Sequence, residues 1–148
     1  MNILLQLLFG WLYSHFFEYI VHRYVLHNYK WFKPAFKNHF KTHHGISRKN
    51  EMYDVSYENL LSSKFEIFNL AFVSIIHFPL IFYLPYTYGI LCVSMLTYYV
   101  LHKLAHTHVA WGKKWLPWHY AHHMGKDQNV NWGVRLPIID KLMKTSRY

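Results

Sequence analysis

The sequence predicts an all-α integral membrane protein of about three transmembrane helices with a layer of short cytosolic helices attached. Three observations carry that expectation. Three apolar stretches, at about 2–21, 65–84 and 88–105, have the length of about twenty residues that a spanning helix needs. All sixteen lysines and arginines lie between Arg23 and Lys64 or from Lys103 onward, leaving the first stretch and the 85–87 turn free of them. Ten of the thirteen histidines fall in four boxes, and all four boxes sit where the basic residues collect.

Composition agrees. The chain of 148 residues is one domain's worth and reads as a single domain over 1–148. It is 53% hydrophobic and 20% aromatic, yet its formal net charge is +9, a balance that suits contact with lipid on one side and a polar or anionic surface on the other. Basic charge can also signal nucleic acid, but here the basic residues are interleaved with histidine boxes and apolar runs, which excludes that partner. The single cysteine, Cys92, lies in an apolar run, so neither a disulfide framework nor thiolate metal ligation is expected.

The first stretch has no basic segment before it and no small-residue cleavage site after it, so it reads as a retained helix rather than a signal peptide. His15 and Glu18 are the blemish on its apolarity, and Glu18 is expected to turn inward rather than face lipid, because ionisable groups are costly there. Glu18 and His22 are four apart and can touch on one helix face. His22 and His27 are five apart, which turns a regular helix through about 140°, so either the helix deforms or the two rings serve different metals. Residues 28–33 read as a turn. Pro34 to Gly45 reads as a short helix opened by proline and closed by glycine, and the same punctuation recurs at Pro117 and Gly125. Residues 46–63 read as a polar connector. Pro85-Tyr86-Thr87 reads as a tight turn between the second and third spans, and His102 then falls roughly 21 Å along the third helix, at its far end. By the positive-inside rule, a cytosolic layer made of 22–63 and 102–148 receives every box.

Neutral imidazole suits Fe, Zn, Cu or Ni, and ten imidazoles exceed what one ion can bind, so two metals in one site are expected. On a regular helix His119, His122 and His123 fall in one arc and are expected to converge on one place. An all-histidine pair without thiolate suits redox-active iron better than zinc, with zinc as an alternative occupant of the purified protein. His15, His77 and His108 stand outside the boxes and are read as structural.

The boxes His22 and His27, His39, His43 and His44, His102 and His106, and His119, His122 and His123 resemble, in order and spacing, those of the fatty acid hydroxylase and sterol desaturase superfamily. The likeness runs from about Glu18 to Lys144, and the segment from Glu18 to His27 resembles the fatty acid 2-hydroxylases in particular. Asn131-Trp132-Gly133 and Asp140 resemble elements that follow the last box in those enzymes. The resemblance implies a membrane oxidoreductase: an O2-dependent di-iron monooxygenase that hydroxylates a lipid C–H bond, most directly on a fatty acyl chain. A carotenoid hydroxylase or a sterol or lipid desaturase is the alternative within the superfamily. It implies the ten box histidines as ligands of two Fe ions and no catalytic residue beyond them. Glu18, Asn131 and Asp140 are candidates to orient a ligand ring by accepting its other N–H.

No cytochrome b5-like or ferredoxin-like segment is recognisable, so electrons are expected from a separate protein of that kind, docking on the basic face. Lipid or a second copy in a homo-oligomer is expected to complete the channel above the metals. A divalent-metal-binding or transport protein is the non-enzyme alternative. Transport sites lie near the membrane midplane, whereas these histidines gather at one face.

Overall fold

Asn2 starts the first helix by accepting the Leu5 N–H at 2.9 Å, which satisfies one of the amides a helix start leaves free. In the computed structural model, which describes residues 1–59 and 63–148, every regular element is a helix. Helix α1 (Ile3–Ile20) passes without a break into a π-helical segment, Val21–Leu26. After a turn come α2 (Lys33–Phe36), a second π-helical segment (Lys37–His43) and α3 (His44–Lys49). Pro34 opens α2 as expected, but Gly45 lies inside α3, because the backbone stays helical through His43 and His44. Asp54 caps a short 3-10 turn, Val55–Tyr57, by accepting the Ser56 N–H at 2.9 Å.

The long helices differ from the expected spans. The second stretch is two helices, α4 (Lys64–His77) and α5 (Leu80–Tyr83). Pro79 has no N–H with which to extend the α4 ladder, and α4 ends just before it. The expected turn at Pro85 is instead the first turn of α6 (Pro85–Thr107), a position where proline's missing N–H costs nothing. Among the described residues no helix is long and apolar enough to cross a membrane, which corrects the expectation of three spans. The length of α1 is adequate, but it carries Gln6, Ser14, His15 and Glu18; α4 is cut short; α6 is long but carries Ser94, Thr97, His102, Lys103 and His106.

Helix α6 lies along α1 and also touches α4. The approach is closest at Gly10, where a Cβ would stand 3.0 Å from the Thr87 carbonyl oxygen and 3.1 Å from Ile90 Cβ. Polar groups close the same seam: Thr87 Oγ1 donates to the Gln6 carbonyl at 3.0 Å, and Ser94 Oγ donates to Ser14 Oγ at 3.0 Å. The outward faces are apolar, with Leu4, Phe68, Ile75, Phe82 and Leu96 all 64–74% exposed. Exposed apolar surface on this scale marks an interaction face.

The remaining helices are α7 (Val109–Trp115), α8 (Pro117–Met124) and α9 (Ile138–Leu142). Here α3 packs on α8, α7 on α6 and α8, and α9 on α1. Hydrocarbon is scarce in this layer, with one knot at Tyr19, Trp132 and Ile139 and another at Met52, Ala105 and Leu116. Its centre is imidazole: nine of the ten box histidines are buried and His27 is half-buried.

Candidate metal centre

The two π-helical segments settle how histidines five apart can share a site. In each, a backbone bond runs from residue i to i+5: the His27 N–H reaches the His22 carbonyl, and the His44 N–H reaches the His39 carbonyl. That bond brings both members of a pair to one face, with ring centroids 5.1 Å apart for His22 and His27 and 4.9 Å apart for His39 and His44. Of the two alternatives the spacing left open, the helix deforms.

The rings gather into two groups. His22, His27, His39, His44 and His122 form the first; His43, His102, His106 and His123 form the second; within each, one nitrogen per ring lies within 4.8 Å of the others. Neighbours in sequence part company, His43 from His44 and His122 from His123, because consecutive residues on an α-helix point about 100° apart. The expected convergence of His119, His122 and His123 on one place is corrected for that reason. His119 belongs to neither tight group, but its Nε2 lies 3.2 Å from His106 Nε2 at the border of the second.

Contacts on the far side of five of the rings fix their tautomers. The Nδ1–H donates to the Trp132 carbonyl from His22 (2.5 Å), to Asp54 Oδ2 from His43 (2.7 Å), to Glu66 Oε1 from His102 (2.7 Å), to the Met52 carbonyl from His106 (2.7 Å) and to the Val130 carbonyl from His122 (2.7 Å). None of these oxygens carries a hydrogen, so Nδ1 must, and five bare Nε2 lone pairs face inward. Burial, reinforced by repulsion from neighbouring imidazoles, holds His22, His39, His44, His106, His119 and His123 well below the usual histidine value. Burial also pushes His27 down to about 2 and His122 to about 4. These eight rings are therefore neutral, the form that binds metal.

This donor set fits a cation. His22 Nε2 lies 2.9 Å from His39 Nε2, and His27 Nε2 lies 3.2 Å from His44 Nε2. His43 Nε2, His102 Nε2, His122 Nε2 and both His123 nitrogens are buried with no hydrogen-bond partner. Unpaired buried acceptors facing one another are costly unless a positive charge lies between them. Imidazole nitrogens bound at about 2.0–2.1 Å would lie up to about 4.2 Å apart, so the groups need close by only a few tenths of an ångström.

The three expected ring-orienting residues touch no histidine. Glu18 accepts from the Val134 and Arg135 amides at 2.5 and 3.2 Å and from Arg135 Nε at 2.6 Å. Asp140 accepts from the Trp132 and Gly133 amides at 2.8 and 2.7 Å, so it secures the segment whose carbonyl receives His22. Asn131 exchanges hydrogen bonds with the Arg147 backbone. The acceptors that sequence reasoning missed are Asp54 and Glu66. The available signal was scarcity: the chain has only seven acidic residues, and Glu66 is one of two, with Glu18, that fall in the apolar stretches. His15, His77 and His108 lie outside both groups, as expected: His77 bonds the Val73 carbonyl and Tyr13, His108 contacts Thr107 and is exposed, and His15 sits edge-on to Trp11.

A cavity of about 320 Å³ opens beside the groups. His22, His39 and His43 form part of its wall, and its body is apolar, lined by Phe17, Phe72, Val73, Ile76, Leu91 and Met95 among others.

A family model described as Fatty acid hydroxylase matches residues 7–145 of the chain. No curated protein and no solved structure matches it.

Proposed function

The chain belongs to the fatty acid hydroxylase family, and from that premise we propose that it is an O2-dependent di-iron hydroxylase of a lipid C–H bond, acting on a fatty acyl chain. The observation that carries the proposal is the cavity: a hydrocarbon-lined space whose wall includes histidines of both groups. A molecule that fills it is apolar along its length and presents a C–H bond to the place where the two groups meet.

Iron, when bound, supplies O2 binding and the oxidation of an unactivated C–H bond, chemistry that no side chain can supply alone. His22, His27, His39, His44 and His122 hold one ion. His43, His102, His106 and His123 hold the other, with His119 as a fifth donor. The outward Nδ1–H bonds of His22, His43, His102, His106 and His122 keep those five rings turned so that Nε2 faces inward. The cavity's Phe17, Phe72, Val73 and Ile76 keep water from the reacting carbon and orient the chain. No further protein acid or base is called on.

The exposed apolar faces of α1, α4, α5 and α6 sit in lipid, which delivers the substrate laterally, and the basic histidine layer lies on the cytoplasmic side. Reducing equivalents come from a separate acidic electron-transfer protein, cytochrome b5-like or ferredoxin-like, docking on that layer.

The test pairs two measurements. Metal is counted per chain after anaerobic iron reconstitution, and lipids are compared by mass spectrometry between cells with and without the protein. Two irons with a new hydroxylated acyl lipid that needs O2 support the reading. No O2-dependent lipid change, despite iron and a competent reductant, would sink it.

A further inference from the structure

The two histidine groups differ in what stands behind them. In the first, His22 and His122 lean on backbone carbonyls, those of Trp132 and Val130. In the second, His43 and His102 lean on carboxylates, Asp54 and Glu66, each at 2.7 Å. Asp54 is fully buried, and its other oxygen is fixed by the Ser56 N–H at 2.9 Å and the Ser56 hydroxyl at 2.7 Å. Glu66 Oε1 accepts from His102, and the Tyr57 and Tyr98 hydroxyls also bond to its carboxylate.

A carboxylate accepting from an imidazole N–H draws positive charge onto the ring and makes the opposite nitrogen a stronger donor. Two such carboxylates also set two negative charges against a divalent ion in a water-poor layer, where screening is weak. Among the described residues no carboxylate accepts a hydrogen bond from a ring of the first group. It also contains the one half-buried ligand candidate, His27, so water and chelators reach it first, whereas all four rings of the second group are buried.

We infer that the two metal sites are unequal: the His43, His102, His106 and His123 site, backed by Asp54 and Glu66, takes its ion first and keeps it longest, while the five-histidine site is the labile one. The inference rests on the two-ion reading of the histidine layer but not on any hydroxylase activity. It makes Asp54 and Glu66 positioning residues, acting on the metal only through His43 and His102. The fifth histidine of the labile site does not reverse the order, because a neutral donor adds a bond but no charge.

The experiment is a Co2+ titration of the metal-free protein in detergent, read by the visible bands of histidine-bound cobalt and followed by chelator competition. Two binding phases are expected. Glu66→Gln keeps the hydrogen bond and removes the charge, and its tighter phase should weaken about 10–100-fold with the looser phase unmoved. Asp54→Asn should do the same. His27→Ala should abolish the looser phase and leave the tighter one intact, and circular dichroism of each variant checks that the helices have formed. A single phase releasing both ions together, or a Glu66→Gln effect on the looser phase, would overturn the inference. Failure to bind Co2+, Zn2+ or Fe2+ in either group would overturn it together with the two-ion reading, whereas two ions of equal affinity would sink the inequality alone.

Discussion

The long helices and the histidine layer are held together by opposite means. Between α1 and α6 the contact is a close approach at Gly10 sealed by hydroxyls, and the helices' other sides display bare hydrocarbon. In the layer almost nothing apolar is exposed at the centre; ten imidazoles fill the place that leucines would fill elsewhere. The outward faces of one region suit an apolar surrounding, and the donors of the other suit a cation. On the proposed reading each is stabilised by something outside the polypeptide, and the two dependences can be separated by experiment.

Metal removal should produce the largest difference. With each ion held at about 1,000 times its dissociation constant, binding stabilises the folded layer by about 4 kcal/mol per site. Stripping both ions should lower the unfolding midpoint followed by tryptophan fluorescence, while helicity of the long helices in detergent is largely kept. Equal midpoints for the metal-loaded and stripped protein would show that the layer holds itself together without metal.

Acid should act on the same region and in a defined direction. Folded His27 and His122 titrate at about 2 and about 4, below the ordinary value of about 6.5, because burial opposes their charged form. Below about pH 6.5 the unfolded metal-free chain therefore binds protons that the folded chain does not. Stability of the stripped protein is full above that pH and falls on acidification, by about 1.4 kcal/mol per pH unit for each such ring, down to about pH 4 for His122 and about pH 2 for His27. Unfolding curves at pH 7.5, 6 and 5 measure the slope; a flat profile would mean the rings are solvated rather than buried.

How far the layer was legible in the sequence follows from its geometry. The four boxes name its ten histidines, because ligand residues must recur at helical intervals to face one place. Which group each ring joins is hidden, because the deciding features are two i to i+5 backbone bonds and the turn of about 100° between His43 and His44 and between His122 and His123. The acceptors were hidden for another reason: Asp54 is 11 residues from His43 and Glu66 is 36 from His102, and no local pattern links them. For the long helices, apolarity located the segments, but their ends were set by Pro79 and by Pro85 at a helix start, which hydropathy alone does not weigh.

The helix seam should respond more modestly. Gly10→Ala places a methyl 3.0 Å from the Thr87 carbonyl oxygen, a rigid backbone atom, so α1 and α6 must separate slightly, at a cost of about 1–3 kcal/mol. Thermal unfolding in detergent reads the loss, and metal content per chain should stay the same. A drop in bound metal would show that the seam and the histidine layer are one cooperative unit.

The smallest effect sharpens the boundary between the regions. His77 is an imidazole on α4, within an apolar stretch, and it lines the cavity alongside His22, His39 and His43. Composition alone makes it an eleventh candidate ligand. Its nitrogens are already engaged, Nδ1 with the Val73 carbonyl at 2.8 Å and Nε2 with the Tyr13 hydroxyl at 2.9 Å, and both partners belong to the long helices. With Nδ1 donating to a carbonyl, Nε2 accepts the Tyr13 proton and has no lone pair left for an ion. His77→Ala should therefore leave bound metal unchanged and cost only the α1 to α4 hydrogen bond, about 1 kcal/mol. Loss of one metal equivalent in that variant would move His77 from the helix region into the metal layer, and the division between the two regions would have to be redrawn through the cavity.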